Sequence, residues 1–185
     1  ADCERLLRDF GLPVFVKPVL EGSSIGMTPV HQESELFPAW NDARGYGAVF
    51  AERFIDGSEY TAAFIGETVL PLIKLDTPHE FYDYDAKYLA DDTVYTCSSG
   101  LDDASVTAIN EIVLETIRAT GVRDWGRVDL MLDQHEKPWV IEVNTVPGMT
   151  DHSLVPMAGR AAGLEMPDLV VKILEPTLAG GGRNG

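Results

Sequence analysis

The chain has 185 residues, 45% of them apolar and 24% charged, enough for one domain or two small ones with a buried core. Fourteen basic side chains against thirty acidic ones leave a net charge of −16, which argues against nucleic acid or an anionic membrane as partner. It leaves space for a phosphate ligand, which needs only a few local cations, and suits a protein that holds divalent metal.

The opening ADCERLLRDFG is charged and has no apolar signal core. No apolar run approaches the roughly 18–20 residues of a membrane span. Cys3 and Cys97 are too few for a disulfide framework or a thiolate zinc site, and two unpaired thiols fit a reducing cytosol. The chain opens on Ala1 rather than Met, with residues that read as the end of a helix, so the natural N-terminus is expected to lie upstream.

In chain order, CERLLRDFG is a short amphipathic helix stopped by Gly11, and Val14–Lys17 is a strand. Glu21–Met27 (EGSSIGM) is a small polar loop. ESELFPAWNDA is helical with Pro38 interrupting it, and Ala48–Ile55 alternates as a strand should. EYTAAFIGETVLPLIKL gives two strands around Gly66-Glu67. Glu80–Gly100, polar and rich in tyrosine, is a long ordered loop. Asp103–Gly121 is the clearest helix, with Val106, Ile109, Ile112, Val113 and Ile117 as its apolar stripe. Two alternating strands follow, RVDLML and WVIEVN. Pro147-Gly148 opens another loop, LEMPDLVVKILE closes as a helix, and GGGRNG is expected to be disordered. Strands and helices without regular βαβ alternation favour an α+β fold.

The hairpin carries the chemistry. Pairing Leu132 with Trp139 sets Asp129 opposite Glu142 and Arg127 opposite Asn144, with Trp139, Ile141 and Val143 on the apolar face. Two opposed carboxylates repel, so a cation sits between them or one is protonated, unless the register differs and the face is merely solvated. Asn144 adds a third hard oxygen, a set that suits Mg²⁺. Arg127 beside it would make sense if an anion were held there too. Lys17 followed by EGSSIG is either a phosphate loop, with a lysine as point charge, or an ordinary hairpin turn. By composition Glu52 and Glu59 are solvated acids, and Lys87 and Tyr88 a surface pair.

Taken together, VKPVLEGSSIGM, FYDYDAKYL, WGRVDLML and IEVNTVPGMTDHSLVP resemble the D-alanine–D-alanine ligases of the ATP-grasp superfamily, in order and spacing from about Gly11 to Leu174. The resemblance implies an α+β ATP-grasp fold with ATP gripped between two antiparallel sheets. Residues 1–59 would be the latter part of the central lobe, 60–178 the C-terminal lobe and 179–185 a tail, with the N-terminal lobe absent. It implies that Lys17 and Lys87 bind ATP phosphates and that Glu52 accepts from the adenine amino group. The Ile55 backbone and Phe81 lie at the nucleotide, and Glu59 takes the ribose hydroxyls. Arg53 stands where relatives often have a lysine facing the adenine, keeping the charge but not the geometry. Asp129, Glu142 and Asn144 would hold two Mg²⁺ (Mn²⁺ as a substitute). Arg127 and the Gly148 N–H would form an oxyanion site. Ser153 with the Leu154 N–H would take the second substrate's carboxylate, while Ser23 and Tyr88 close over the substrates. The implied partner is D-alanine and the parent enzyme a cytoplasmic homodimer, with the 185 residues inactive alone. Two rivals remain: an ATP-grasp ligase for another carboxylate–amine or carboxylate–hydroxy-acid pair, and a non-catalytic nucleotide- or metal-binding module.

Overall fold

The computed structural model describes residues 2–77, 93–97 and 100–179, the side chains of 2–4 and 177–179 excepted. The chain divides into two compact units, residues 1–56 with 77–93, and residues 57–76 with 94–185.

In the first unit, β1 (Val14–Pro18) is the centre of a three-stranded antiparallel sheet, flanked by β2 (Thr28–Val30) and β3 (Val49–Arg53). Helices α1 (Asp2–Phe10) and α2 (Glu33–Arg44) complete it. Strand alternation sends Val14 and Val16 inward, where they meet Val30, Leu36, Ala39 and Ala43, with Leu6, Leu7, Trp40, Val49 and Ala51 packed against them. The opposite face of β1 carries Phe15 and Lys17. Helix α2 runs through Pro38 instead of being interrupted by it. The ring removes one bond, to the Ser34 carbonyl, early in a helix whose start is secured by a capping box between Gln32 and Glu35. The Glu35 carboxyl, accepting from the His31 and Gln32 N–H groups, is held below its ordinary value.

In the second unit, a six-stranded antiparallel sheet runs β7 (Val94–Cys97), β6 (Ile73–Asp76), β4 (Gly57–Ile65), β8 (Trp125–Asp133), β9 (Pro138–Asn144). The two-residue β5 (Thr68–Val69) pairs with the far end of β4. EYTAAFIGETVLPLIKL thus makes three strands rather than two, because the segment Leu70-Pro71-Leu72 separates β5 from β6 along β4. Val94–Cys97, expected within a loop, is an edge strand; residues 78–92 and 98–99 of that loop lie outside the described residues.

Helix α3 (Asp103–Thr120) closes one face of this sheet. Its Ile109, Val113 and Ile117 pack with Tyr60, Ala62, Phe64, Val128, Leu130 and Leu132, the inward residues of β4 and β8. Asp102 caps it by accepting from the Ser105 N–H, and Gly121 ends it at φ 70°, a left-handed conformation that glycine adopts without steric cost. Helices α4 (Leu154–Ala161) and α5 (Met166–Ala179) complete the unit. Helix α4 was expected to be loop: Pro156 and Gly159 weaken its helical signature, and tertiary burial of Leu154, Val155 and Ala158 overrides that weakness. No described helix is long and apolar enough to cross a membrane.

Candidate active site

On the sheet face away from α3, the register pairs Thr61 with Asp129 and Asp129 with Glu142, while Arg127 pairs with Ala63 and Asn144. The expected pairing of Asp129 with Glu142 and Arg127 with Asn144 is therefore present at this end of the hairpin. At the turn end it is not. A bulge between Asp129 and Leu130 leaves Ile141 without a partner, so that Leu132 meets Pro138 and Met131 meets Trp139. One extra residue flips the remainder of β9, and Trp139 joins the face of Asp129 instead of the apolar face. There its indole N–H donates to Asp133 Oδ2 at 3.0 Å, with Lys137 Nζ 4.2 Å above its ring. That bond, with the His135 and Lys137 N–H groups, holds the Asp133 carboxyl below its ordinary value.

Asp129 is 7% exposed and accepts four hydrogen bonds. Arg127 forks onto it, Nε to Oδ1 at 2.8 Å and Nη2 to Oδ2 at 2.7 Å. Thr61 Oγ1 donates to Oδ1 at 2.6 Å and Asn144 Nδ2 to Oδ2 at 2.8 Å. The opposed carboxylates are thus relieved by a third means, a guanidinium from the same strand, besides a bound cation or a proton. Thr61 was not expected to take part. Its signal, a hydroxyl amid the apolar run of β4, becomes legible only with the β4–β8 register.

Among the described residues no three His, Cys, Asp or Glu side chains converge, so any cation here would rely on two carboxylates and an amide. Asn144 Nδ2 lies 2.8 Å from Asp129 Oδ2 and 3.3 Å from Glu142 Oε1. One polarised N–H₂ group therefore already draws an oxygen from each carboxylate, marking where a cation would be drawn. Turning the amide offers its oxygen as well. This donor chemistry fits Mg²⁺.

Gly148 and Ser153 are neighbours. A Cβ on Gly148 would stand 2.8 Å from Ser153 Oγ, so a larger residue there would displace that hydroxyl. Ser153 Oγ accepts from the Thr150 N–H at 3.0 Å and lies 2.8 Å from Thr150 Oγ1. Ser153 is also the N-cap of α4, which leaves Leu154 as the first helical residue, in the turn whose N–H groups lack intrahelical acceptors. Glu59 is half-buried on β4, on the Thr61 face, paired with Met131 and Leu75.

In the first unit, Lys17 Nζ donates to Glu52 Oε1 across the β1–β3 pair, and Lys17 also lies 5.4 Å from the Phe15 ring centre. Phe15 stacks on Phe54 at 5.0 Å. Arg53 pairs with Val14, which places it on the sheet face opposite Lys17 and Glu52. Ile55 is half-buried beyond the end of β3. Ser23 and Ser24 hold φ 52° and 61°, consecutive left-handed residues that bend EGSSIG sharply. Phe81, Lys87 and Tyr88 lie outside the described residues.

A three-stranded and a six-stranded antiparallel sheet with helices packed on them, one carrying a hairpin of Arg, Asp, Glu and Asn, define an α+β chain of the ATP-grasp class. Residues 1–175 match the family described as D-ala D-ala ligase C-terminus, and the chain belongs to it. It is 55% identical over 179 residues to the D-alanine--D-alanine ligase of Methylococcus capsulatus, covering 96% of this chain and 58% of that protein. Two solved structures share the fold. The VanG D-Ala:D-Ser ligase from Enterococcus faecalis has a TM-score of 0.83 at 28% identity, over 93% of this chain and 51% of its own. The D-alanine--D-alanine ligase from Bacillus anthracis complexed with ATP has a TM-score of 0.80 at 29% identity, over 94% and 55%. The chain thus spans little more than half the length of these relatives.

Proposed function

We propose that these residues serve the ATP-driven joining of two D-alanines into D-alanyl-D-alanine, in cytoplasmic synthesis of peptidoglycan precursors. The observation that supports this most is the buried Asp129, locked by Arg127 beside Glu142 and Asn144 on a rigid hairpin. The carboxylate of the first D-alanine attacks the γ-phosphate, giving an acyl phosphate and ADP. The amine of the second attacks that carbonyl, and the tetrahedral centre expels phosphate. Both steps gather negative charge, so fixed cations and N–H groups lower the barrier more than proton transfer does.

In this scheme Lys17 and Lys87 bind the ATP phosphates. Glu52 and the Ile55 backbone hold the adenine beside Phe81, and Glu59 takes the ribose. Asp129, Glu142 and Asn144 would hold two Mg²⁺, or Mn²⁺, whose charge would offset that of the transferring phosphate. Arg127, aimed by its bond to Asp129, and the Gly148 N–H receive the oxyanion. Ser153 and the Leu154 N–H orient the second substrate by its carboxylate. Ser23 and Tyr88 close over the substrates, and the tyrosine-rich segment excludes water that would hydrolyse the acyl phosphate.

A chimera tests this: the N-terminal part of the Methylococcus capsulatus relative joined ahead of these 185 residues, assayed for phosphate release with ATP, Mg²⁺ and D-alanine. D-alanine-dependent release is expected from the chimera and not from the 185 residues alone. Release that requires D-serine or D-lactate as second substrate would place the chain with a ligase of different specificity; the Enterococcus faecalis D-Ala:D-Ser ligase shows that the fold serves more than one. Nucleotide binding without release under any condition would favour the non-catalytic module.

A further inference from the structure

Thr61 is 2% exposed, and with Asp129 it makes up the buried polar or charged residues among those described. Its neighbours along β4 are Tyr60, Ala62, Ala63 and Phe64, all buried. Valine has nearly the same shape and would bury without a polar group, so the hydroxyl adds a desolvation cost that only a hydrogen bond offsets. That bond goes to Asp129 Oδ1, at 2.6 Å, from a strand 68 positions away in sequence.

The bond breaks the symmetry of the carboxylate. Oδ1 accepts from Thr61 and Arg127 Nε. Oδ2 accepts from Arg127 Nη2 and from Asn144 Nδ2, the same nitrogen that approaches Glu142. With Oδ1 tied to β4, Oδ2 is the oxygen turned toward Glu142 and Asn144. Without the hydroxyl, Oδ1 would lose its tie to β4 and the carboxylate could turn about χ2 as far as Arg127 allows.

We propose that Thr61 is a positioning residue that fixes the rotation of the Asp129 carboxylate, so that Oδ2 alone faces the cation. This rests on the metal assignment above for Asp129, Glu142 and Asn144. It gives a buried hydroxyl behind the ligand a part in divalent-cation affinity without touching the ion. Partners of this kind typically account for 10–100-fold in metal affinity.

The test is Mn²⁺ titration of the 185-residue chain with ATP present, read by water-proton relaxation, with thermal unfolding measured in parallel. Thr61→Val and Thr61→Ala should both raise the Mn²⁺ concentration at half-saturation about 10-fold or more. Thr61→Ser should stay close to the parent. Glu142→Gln is the control for the underlying site. If Glu142→Gln weakens Mn²⁺ while Thr61→Val and Thr61→Ala leave it unchanged, the positioning role is overturned and the metal site stands. If Glu142→Gln leaves Mn²⁺ binding at the parental level, or the parent takes up none, the metal assignment falls and this proposal with it. Should Thr61→Val fail to fold, Thr61→Ala and Thr61→Ser decide the matter. A loss that follows side-chain volume, with Ser resembling Ala, would mark Thr61 as packing alone.

Discussion

The two sheets each present an acid paired with a base on one face, and they do it in opposite ways. On the three-stranded sheet, Lys17 donates to Glu52 through one oxygen, the two long side chains 16% and 34% exposed. On the six-stranded sheet, the Arg127 and Asp129 side chains are 18% and 10% exposed, and two further side chains hold the carboxylate. A pair whose carboxylate is a third exposed and held by one donor can be exchanged for a ligand at less cost than one whose carboxylate is buried among several. A buried carboxylate forked by Arg127 and tied to Thr61 cannot turn without a large cost, even where the Asn144 amide gives way to a cation, which suits groups that must be in place before a reaction begins. Under the proposed function the difference would divide the labour: the Lys17–Glu52 pair would reorganise around a nucleotide, whereas the Arg127–Asp129 pair is set in advance.

The largest effect is expected at Arg127. Removing one member of a buried pair leaves a charge without its partner, so Arg127→Ala should lower stability by about 3 kcal/mol in urea unfolding. Adding Asp129→Asn to it should recover much of that loss. In the chimera, kcat per folded molecule should also fall by about 10²-fold or more, as when an oxyanion donor is removed. Near-normal turnover per folded molecule would leave Arg127 a structural role only. The contrast is sharpened by Lys17→Met. Stability should change by about 1 kcal/mol, well short of the Arg127 loss because the Glu52 carboxylate stays a third exposed, while ATP affinity should fall roughly tenfold, the scale of one charge-assisted bond. A large stability loss there would erase the distinction between the two pairs.

The smallest effect concerns acid. Asp133 in the folded chain lies below the ordinary value of 3.8 because Trp139, His135 and Lys137 donate to it. Its contribution is complete above that value and lost as pH falls through the lower, folded one. Asp133→Asn should therefore flatten the decline of the urea midpoint between about pH 5 and about pH 3. An unchanged decline would assign the acid sensitivity to other groups, Asp102 and Glu35 among them, which N–H donors also hold low.

The pairing of Arg127 with Asn144 and Asp129 with Glu142 followed from setting Leu132 against Trp139, and it holds because the extra residue at the bulge offsets the one-residue shift at the turn. Alternation of side chains was by itself enough to find the hairpin and to put Arg127, Asp129, Glu142 and Asn144 on one face, which depends only on a period of two. It could not reveal the bulge, since an unpaired Ile141 leaves the residue pattern of β9 looking like an ordinary strand, and Trp139 was assigned to the wrong face in consequence. Nor could it find Thr61. The partner of that hydroxyl lies on a strand reached only after α3, and a threonine in an apolar strand is common where β-branching alone is favoured. The Lys17–Glu52 contact was hidden similarly, in the β1–β3 register. Helix α4 was missed for the opposite reason, its local residues arguing against the element that burial imposes.

The bulge also makes the hairpin a natural place for a reporter. Register between Asp129 and Asn144 is anchored on one side of Ile141, while Asp133, Trp139 and Lys137 fasten the turn on the other. A distortion at the tip can be absorbed at the unpaired residue before it reaches the carboxylates. His135 is exposed and lends the turn its backbone N–H rather than a side-chain hydrogen bond. A cysteine placed there and labelled with a fluorophore would stand on the hairpin that bears Asp129 and Glu142, yet be mechanically insulated from it.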